Sequence, residues 1–508
     1  MFIKILFLLI FFAVMIGVGI YSRQHARSVD GFVLGGRSVG PWLTAFAYGT
    51  SYFSAVVFVG YAGQFGWKYG MATTWIGIGN ALLGSLLAWV VLGRRTRVMS
   101  QGLCAATMPQ FFGKRFDSNT LKIVSSAIVF IFLVPYTASI YNGLSRLFGM
   151  AFDIPYEVCV IVMAVFTGVY VVMGGYMATA INDFFQGIIM LVGIVAVIAA
   201  VLSGQGGFME AVKSLALIES DVPATLGQPG AFTSFFGTDP ANLLGVVILT
   251  SLGTWGLPQM VQKFYAIKNE KAINTGTVIS TMFAIVVAGG CYFLGGFGRL
   301  FDNPSLYNEA GIVYDSIIPY MMSTLPDILI GIVVVLVLSA SMSTLSSLVL
   351  TSSSTLALDF LYGNLIKKVS EKKQIITMQI LIVFFIIVSV VIALRPSVFI
   401  AQLMGISWGA LAGAFLAPFL YGLYWKKVTR AAVWASFITG VGITVSNMFL
   451  KYISSPINAG AIAMIAGLIV VPVVSLVTPK MNKAKVDEMF TCYDEKVVIK
   501  KKRSLEEM

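Results

Sequence analysis

Residues 339–355 read SASMSTLSSLVLTSSST, and eleven of these 17 positions are Ser or Thr. They lie inside an apolar run, 325–361, that is longer than one crossing of a ~30 Å hydrocarbon layer requires. The excess predicts a polar or water-exposed extension of the helix. Ala340, Ser343, Thr344 and Ser347 recur at i, i+3, i+4 and i+7 and so share one helical face. Ser346 sits beside Ser347, three residues after Ser343. Packing of small residues accounts for some hydroxyls in membrane helices, but not for this density. A ladder of hydroxyl oxygens, with carbonyls loosened by back-bonding, suits a hard monovalent cation that must bind and then leave.

The rest of the chain gives this helix its setting. Of 508 residues, 58% are hydrophobic and 11% charged, with mean hydropathy +0.88. That is too little charge for a soluble protein of this length. Thirteen apolar spans can be drawn: 4–22, 41–66, 71–93, 121–147, 155–176, 183–203, 241–262, 275–298, 325–361, 374–395, 398–425, 430–451 and 457–478. The fold class is therefore an all-α polytopic membrane protein in the lipid bilayer. The first run has Lys4 before it and no small-x-small cleavage site after it, so it reads as a retained helix rather than a signal peptide.

The net charge of +12 could suggest nucleic acid, but the distribution of 34 Lys and Arg argues otherwise. Alternate loops collect 27 of them, including Arg23, Arg94, Lys114, Lys263, Lys367, Lys368, Lys426 and the tail. The other side holds seven: Lys4, Lys68, Arg146, Lys213, Arg299, Arg395 and Lys451. The positive-inside rule then places the N-terminus outside and the C-terminus inside the cytoplasmic membrane. The tail from Lys480 is expected to be mobile, and its cluster Lys500, Lys501, Lys502 and Arg503 to be solvated. Arg146 reads as an interface anchor. The four cysteines form no CxxC pair and read as small buried hydrophobes. His25 is the only histidine. No zinc site, histidine-based triad or GxxxxGK[ST] loop is therefore expected, which argues against an enzyme.

Helix breakers mark two further places. The second span contains Ala47-Tyr48-Gly49-Thr50-Ser51-Tyr52-Phe53-Ser54, and the seventh contains Leu252-Gly253-Thr254-Trp255-Gly256-Leu257-Pro258. Backbone groups freed in mid-membrane must be satisfied by an ion, a solute or water. Matched breaks five spans apart predict a five-plus-five inverted repeat with a solute between the halves. The organisation that follows is 1–40 (first helix and loop), 41–203 (first repeat), 204–240 (external segment with short helices), 241–425 (second repeat), 426–479 (two further helices) and 480–508 (tail). The outer segment 299–324 should also hold short helices. Asp183, placed at the start of the sixth span, is either an N-cap or a cation ligand.

Phe32-Val33-Leu34-Gly35-Gly36-Arg37-Ser38-Val39-Gly40 resembles the signature after the first helix of the sodium/solute symporter family. That family includes bacterial proline, pantothenate and sialic acid transporters and animal sodium/glucose transporters. Gly174-Gly175-Tyr176 leading to Asn182-Asp183-Phe184-Phe185-Gln186, then Met342-Ser343-Thr344-Leu345-Ser346-Ser347, then Trp425-Lys426-Lys427-Val428 resemble its later landmarks. The four occur in the right order across roughly 30–480, and they imply thirteen helices with an outside N-terminus. The resemblance implies one sodium ion held by the carbonyls of Thr50, Phe53 and Ala340 and the hydroxyls of Ser343 and Thr344. It also implies a second, held in some members at positions matching Asp183, Ser343, Ser346 and Ser347.

The chain departs from parts of the family. Proline transporters carry an Asp where this chain has Tyr52. Sugar transporters use a carboxylate in the next helix, and here no Asp or Glu falls between Asp30 and Asp117. Tyr48 to Gly70 and Gly256-Leu257-Pro258 look more like the pantothenate branch. Without a carboxylate at the pocket a bare ammonium lacks a counter-ion, so a carboxylate or amino acid, pantothenate-like or monocarboxylate-like, is the expected solute. Ser51, Ser54, Gln64, Tyr136, Thr254 and Trp255 are its candidate partners. The function that follows is sodium-coupled import by alternating access, with sodium as co-transported ion. Proton coupling through Asp183 and a solute-gated channel or sensor are the alternatives. Nothing in the sequence sets an oligomeric state.

Overall fold

The computed structural model of the protein describes residues 2–309, 311–362, 369–394 and 400–494. Lys367, Lys368, Arg395 and the cluster Lys500 to Arg503, used above for orientation or as a tail feature, lie outside them. The described residues form an almost wholly helical structure; the exception among named elements is a two-residue pairing of Tyr307–Asn308 with Gly311–Ile312. Among them ten helices are long and apolar enough to cross a membrane, or eleven when the bent pair Pro240–Gly256 and Pro258–Ala266 counts as one span. The expected thirteen needs two continuous stretches to count twice. These are Val56–Gly102, 47 residues, and Tyr156–Gly204, 49 residues. At ~1.5 Å per residue either is about 70 Å long, more than twice the hydrocarbon thickness. Each carries an internal glycine at positive φ: Gly70 (φ 59°) and Gly175 (φ 54°, ψ −147°). An L side chain rarely adopts that conformation.

The helix from Pro41 starts because Pro at the first position loses only an N–H that has no helical partner. It runs to Thr50 and then breaks. The Oγ of Thr50 donates to Phe46 O (2.9 Å) and that of Ser51 to Ala47 O, so both hydroxyls compete for carbonyls of the preceding turn. The chain resumes as a π-turn, Val56–Tyr61, whose first amide is capped by Ser54 Oγ at 3.2 Å. The second break lies at Leu257 (ψ 122°), extended as a residue before Pro must be, and it bends the pair by 46°.

The helix Asp327–Thr355 stands among these elements, and every residue from Leu336 to Thr355 is buried. Of the expected polar or water-exposed extension, the polar alternative describes this end: its hydroxyl-rich turns are covered by protein. Asp359, in the π-turn that follows, is buried and takes hydrogen bonds from Thr107 (2.5 Å) and Gln110 (2.8 Å). Tyr170 OH donates to Met342 O at 2.7 Å and fastens the helix from its other side. Backbones also meet directly: a Cβ on Gly66 would run into the carbonyl of Gly295.

The segments 204–240 and 299–324 do hold short helices, Phe208–Ala216 and Ile317–Ser323. The start of the tail is not loose. Lys483–Phe490 is helical with Val486 and Phe490 buried, Lys426 pairs with Asp487 at 2.7 Å, and Lys485 with Asp117 at 2.9 Å. None of the four cysteines is in a disulfide; Cys159 and Cys291 are buried while Cys104 and Cys492 are half-buried.

Candidate functional site

The break at Ser51 lies against the hydroxyl face of Asp327–Thr355. Ser343 Oγ lies 3.0 Å from Thr50 O and 2.9 Å from Ala340 O. Thr344 Oγ1 lies 3.1 Å from each of the same two carbonyl oxygens. Two hydroxyls and two carbonyls thus form a quartet of oxygens from two helices that are nearly 300 residues apart in sequence. Thr50, Ala340, Ser343 and Thr344 are all buried. A hydroxyl carries lone pairs as well as a proton, so turning two protons away would present four oxygens to a cation. The quartet carries no full charge. Phe53, expected to add a carbonyl, lies in the break, and its ring lies tilted by 35° against Tyr52 with centroids 4.1 Å apart. Ala55 N donates to Ser341 Oγ (3.2 Å), which ties the far side of the break to the same helix.

Beside the quartet is a second polar cluster. Ser51 Oγ is 2.9 Å from Ser347 Oγ, and Lys263 Nζ donates to Ser347 Oγ at 3.0 Å. The same ammonium is 3.8 Å from Asp183 Oδ2 and 5.1 Å from the centroid of the Tyr176 ring. Side-chain exposure is 2% for Lys263 and 0% for Asp183, so no water shell compensates either charge. This corrects two expectations. Lys263 is not a loop lysine; it sits in the half-helix Pro258–Ala266 and points into the protein. Asp183 is not an N-cap, because helix continues without interruption from Tyr176 through Gly204. Ser346 Oγ turns to Ser343 O at 2.9 Å.

The six solute candidates divide by what already holds them. Thr254 Oγ1 is 3.0 Å from Gly84 O, and Trp255 Nε1 is 2.9 Å from Leu83 O, so both tie the second break to the preceding span. Ser51 and Ser54 are used at the first break. Tyr136 OH and Gln64 Oε1 are buried with no close hydrogen bond, the Trp408 indole and the Ser54 hydroxyl facing Tyr136 OH. The Tyr136 ring packs edge-on to Trp408 at 5.8 Å, and Tyr52 lies 6.5 Å from the same indole. Trp408 Nε1 is also buried and makes no close hydrogen bond. No local pattern singles out Trp408, which lies in a helix rich in Gly, Ala and Leu; only packing brings it to Tyr52 and Tyr136.

Among the described residues no group of three His, Cys, Asp or Glu is placed to hold a metal ion. The polar centre is built instead from hydroxyls and carbonyls at a broken helix inside a bundle, which is the architecture of a membrane carrier. The comparisons agree. Residues 32–440 match the sodium:solute symporter family, and the chain belongs to that family. The sodium/proline symporter of Staphylococcus aureus is 30% identical over 490 residues, covering 93% of this chain and 92% of that protein. A Na+-coupled sialic acid symporter, solved substrate-bound and outward-open with a novel Na+ site, superposes with TM-score 0.76 at 16% identity, over 95% of this chain and 99% of that one. A nucleobase-cation-symport-1 family transporter, closed on bromovinylhydantoin, gives TM-score 0.54 at 12% identity, over 90% and 97%. The chain is thus a membrane transporter of the sodium-coupled class, not an enzyme.

Proposed function

We propose that the protein imports a small carboxylate-bearing solute, amino acids included, with sodium bound at the Thr50, Ala340, Ser343 and Thr344 oxygens and completed by Phe53 O. The observation that carries the reading is the quartet, which joins the broken helix to the hydroxyl helix through the atoms a cation would take. Sodium there fixes the position of the break. The break in turn presents Ser54, Tyr52 and, across from them, Tyr136 and Trp408 to the solute. Release of sodium on the inner side frees the break and resets the carrier.

Electrostatics narrows the solute. Asp183, Asp315 and Asp359 are the buried carboxylates among the described residues. Lys263 faces the first, Arg146 Nε lies 4.0 Å from the second, and Thr107 and Gln110 hold the third. None is spare to pair with a solute ammonium. The aromatic faces of Tyr52 and Trp408 remain, and they favour a cation whose charge is spread or partly shielded by carbon. Proline, transported by the S. aureus relative, has such a secondary amine; pantothenate and short monocarboxylates have no ammonium that would need a carboxylate partner. Uptake of these solutes into proteoliposomes, with sodium or potassium outside, tests the reading. Accumulation of one of them that requires sodium supports it, and equal uptake in potassium overturns sodium coupling.

A further inference from the structure

The pair Lys263 and Asp183 is not among the quartet's atoms, and burying both charges costs desolvation that a 3.8 Å separation repays poorly. Its placement is specific. Lys263 lies within the family of contacts that also hold the break: its Nζ bonds Ser347 Oγ (3.0 Å), and Ser347 Oγ meets Ser51 Oγ (2.9 Å), one residue from Thr50. The Tyr176 ring covers the ammonium at 5.1 Å. Both oxygens of Asp183 are buried without a hydrogen-bond partner, and the nearest cation is Lys263 at 3.8 Å.

We propose that the Lys263 ammonium is a built-in cation occupying the Asp183–Ser347 site, so that this chain carries a single sodium per cycle. The assignment rests on the reading of the quartet as a sodium site. Asp183 supplies one negative charge. With Lys263 in place the cluster is neutral, and an alkali cation added to the same carboxylate and hydroxyl would leave a net positive charge in a dry interior, within a few ångströms of another cation. Lysine and sodium are therefore alternatives at this carboxylate. They are not equivalent for transport. A free ion binds from one side and leaves on the other, adding driving force. A tethered ammonium holds the half-helix Pro258–Ala266 to the hydroxyl helix but never leaves, so it adds none. Removing the ammonium while keeping Asp183 should open a second alkali-cation site.

The test is the number of sodium ions bound per protein, counted by equilibrium binding of radioactive sodium to the purified full-length chain in detergent. The wild-type protein should bind one. Lys263→Ala, shown to be folded by its gel-filtration profile, should bind two, and its sodium dependence should steepen from a Hill coefficient of about 1 toward 2. Lys263→Ala with Asp183→Asn should return to one. Two ions on the wild type overturn the assignment whether or not any variant folds. A folded Lys263→Ala that still binds one overturns it as well. Zero ions on the wild type would overturn the quartet reading itself and this assignment with it, which separates the two failures.

Discussion

The hydroxyl of Ser343 lies 3.0 Å from the carbonyl oxygen of Thr50, across a helix break that this contact helps to define. Removing that hydroxyl takes one oxygen from the quartet and leaves two carbonyls with one fewer partner. A lost buried partner costs about 1–3 kcal/mol, or roughly 5- to 150-fold in affinity. Ser343→Ala and Thr344→Ala should each raise the sodium concentration for half-maximal uptake by that range. Ser353→Ala, in the same helix but bonded only to Leu350 O, should leave it unchanged. Sodium titrations of uptake compare the three.

Tyr136→Phe separates a binding role from a packing role. Its hydroxyl faces Trp408 and Ser54 but makes no close hydrogen bond, so removing it should cost little stability. If the hydroxyl meets the solute, the solute KM should rise by about one hydrogen bond, roughly 3- to 10-fold, at unchanged melting temperature. An unchanged KM would remove Tyr136 from the pocket.

Gly66 and Gly295 set the separation of two helices. A side chain at Gly66 would meet Gly295 backbone, which cannot rotate away as a side-chain tip can. Gly66→Val should destabilise by at least the ~1–3 kcal/mol typical of overpacking, read as a lowered melting temperature in detergent. Gly204→Ala, open around its Cα, should not.

The docked tail makes a pH-dependent contact outside the membrane. Lys485, and after it Arg430, hold the Asp117 carboxyl below its usual range. A depressed carboxylate contributes stability above its unfolded pKa, here about 3.8, and loses it as pH falls through the lower folded value. Between pH 5 and 8 protection of the tail from trypsin should therefore be flat. Asp117→Asn should remove the charge and speed cleavage at Lys483 and Lys485 across that whole range.

The membrane fold, the break and the hydroxyl ladder were legible because each is a local signal, whereas the meeting of break and ladder followed only from the family resemblance. Seventeen residues with eleven hydroxyls, and a Gly-Thr-Ser run inside an apolar span, say what they are without their neighbours. Lys263 was not legible for the opposite reason. Five residues after Pro258 at the end of an apolar run, it looks like any loop lysine, and its partner Asp183 is 80 residues away. Asp183 itself was misplaced because Asn182 and Asp183 resemble a helix start, whereas the real discontinuity is the left-handed Gly175. Trp408 carries no local mark, since an indole among Gly and Ala is an ordinary core residue until Tyr52 and Tyr136 are seen against it.

Coupling sets the scale of what this site achieves. One charge crossing about 100 mV yields ~2.3 kcal/mol, and a tenfold sodium gradient adds ~1.4 kcal/mol. One sodium then supports roughly 500-fold accumulation of a neutral solute. A second would raise the limit to the order of 10⁵.

The most direct measurement is thermal unfolding of the purified protein in NaCl against equal KCl. A cation that binds only the folded state raises its stability in proportion to the logarithm of occupancy. The melting temperature should be higher in sodium than in potassium, and in Ser343→Ala and Thr344→Ala the same gain should require roughly 5- to 150-fold more sodium. Identical melting in the two salts for the folded wild-type protein, up to high concentration, would contradict a sodium site at the Thr50–Ser343 junction.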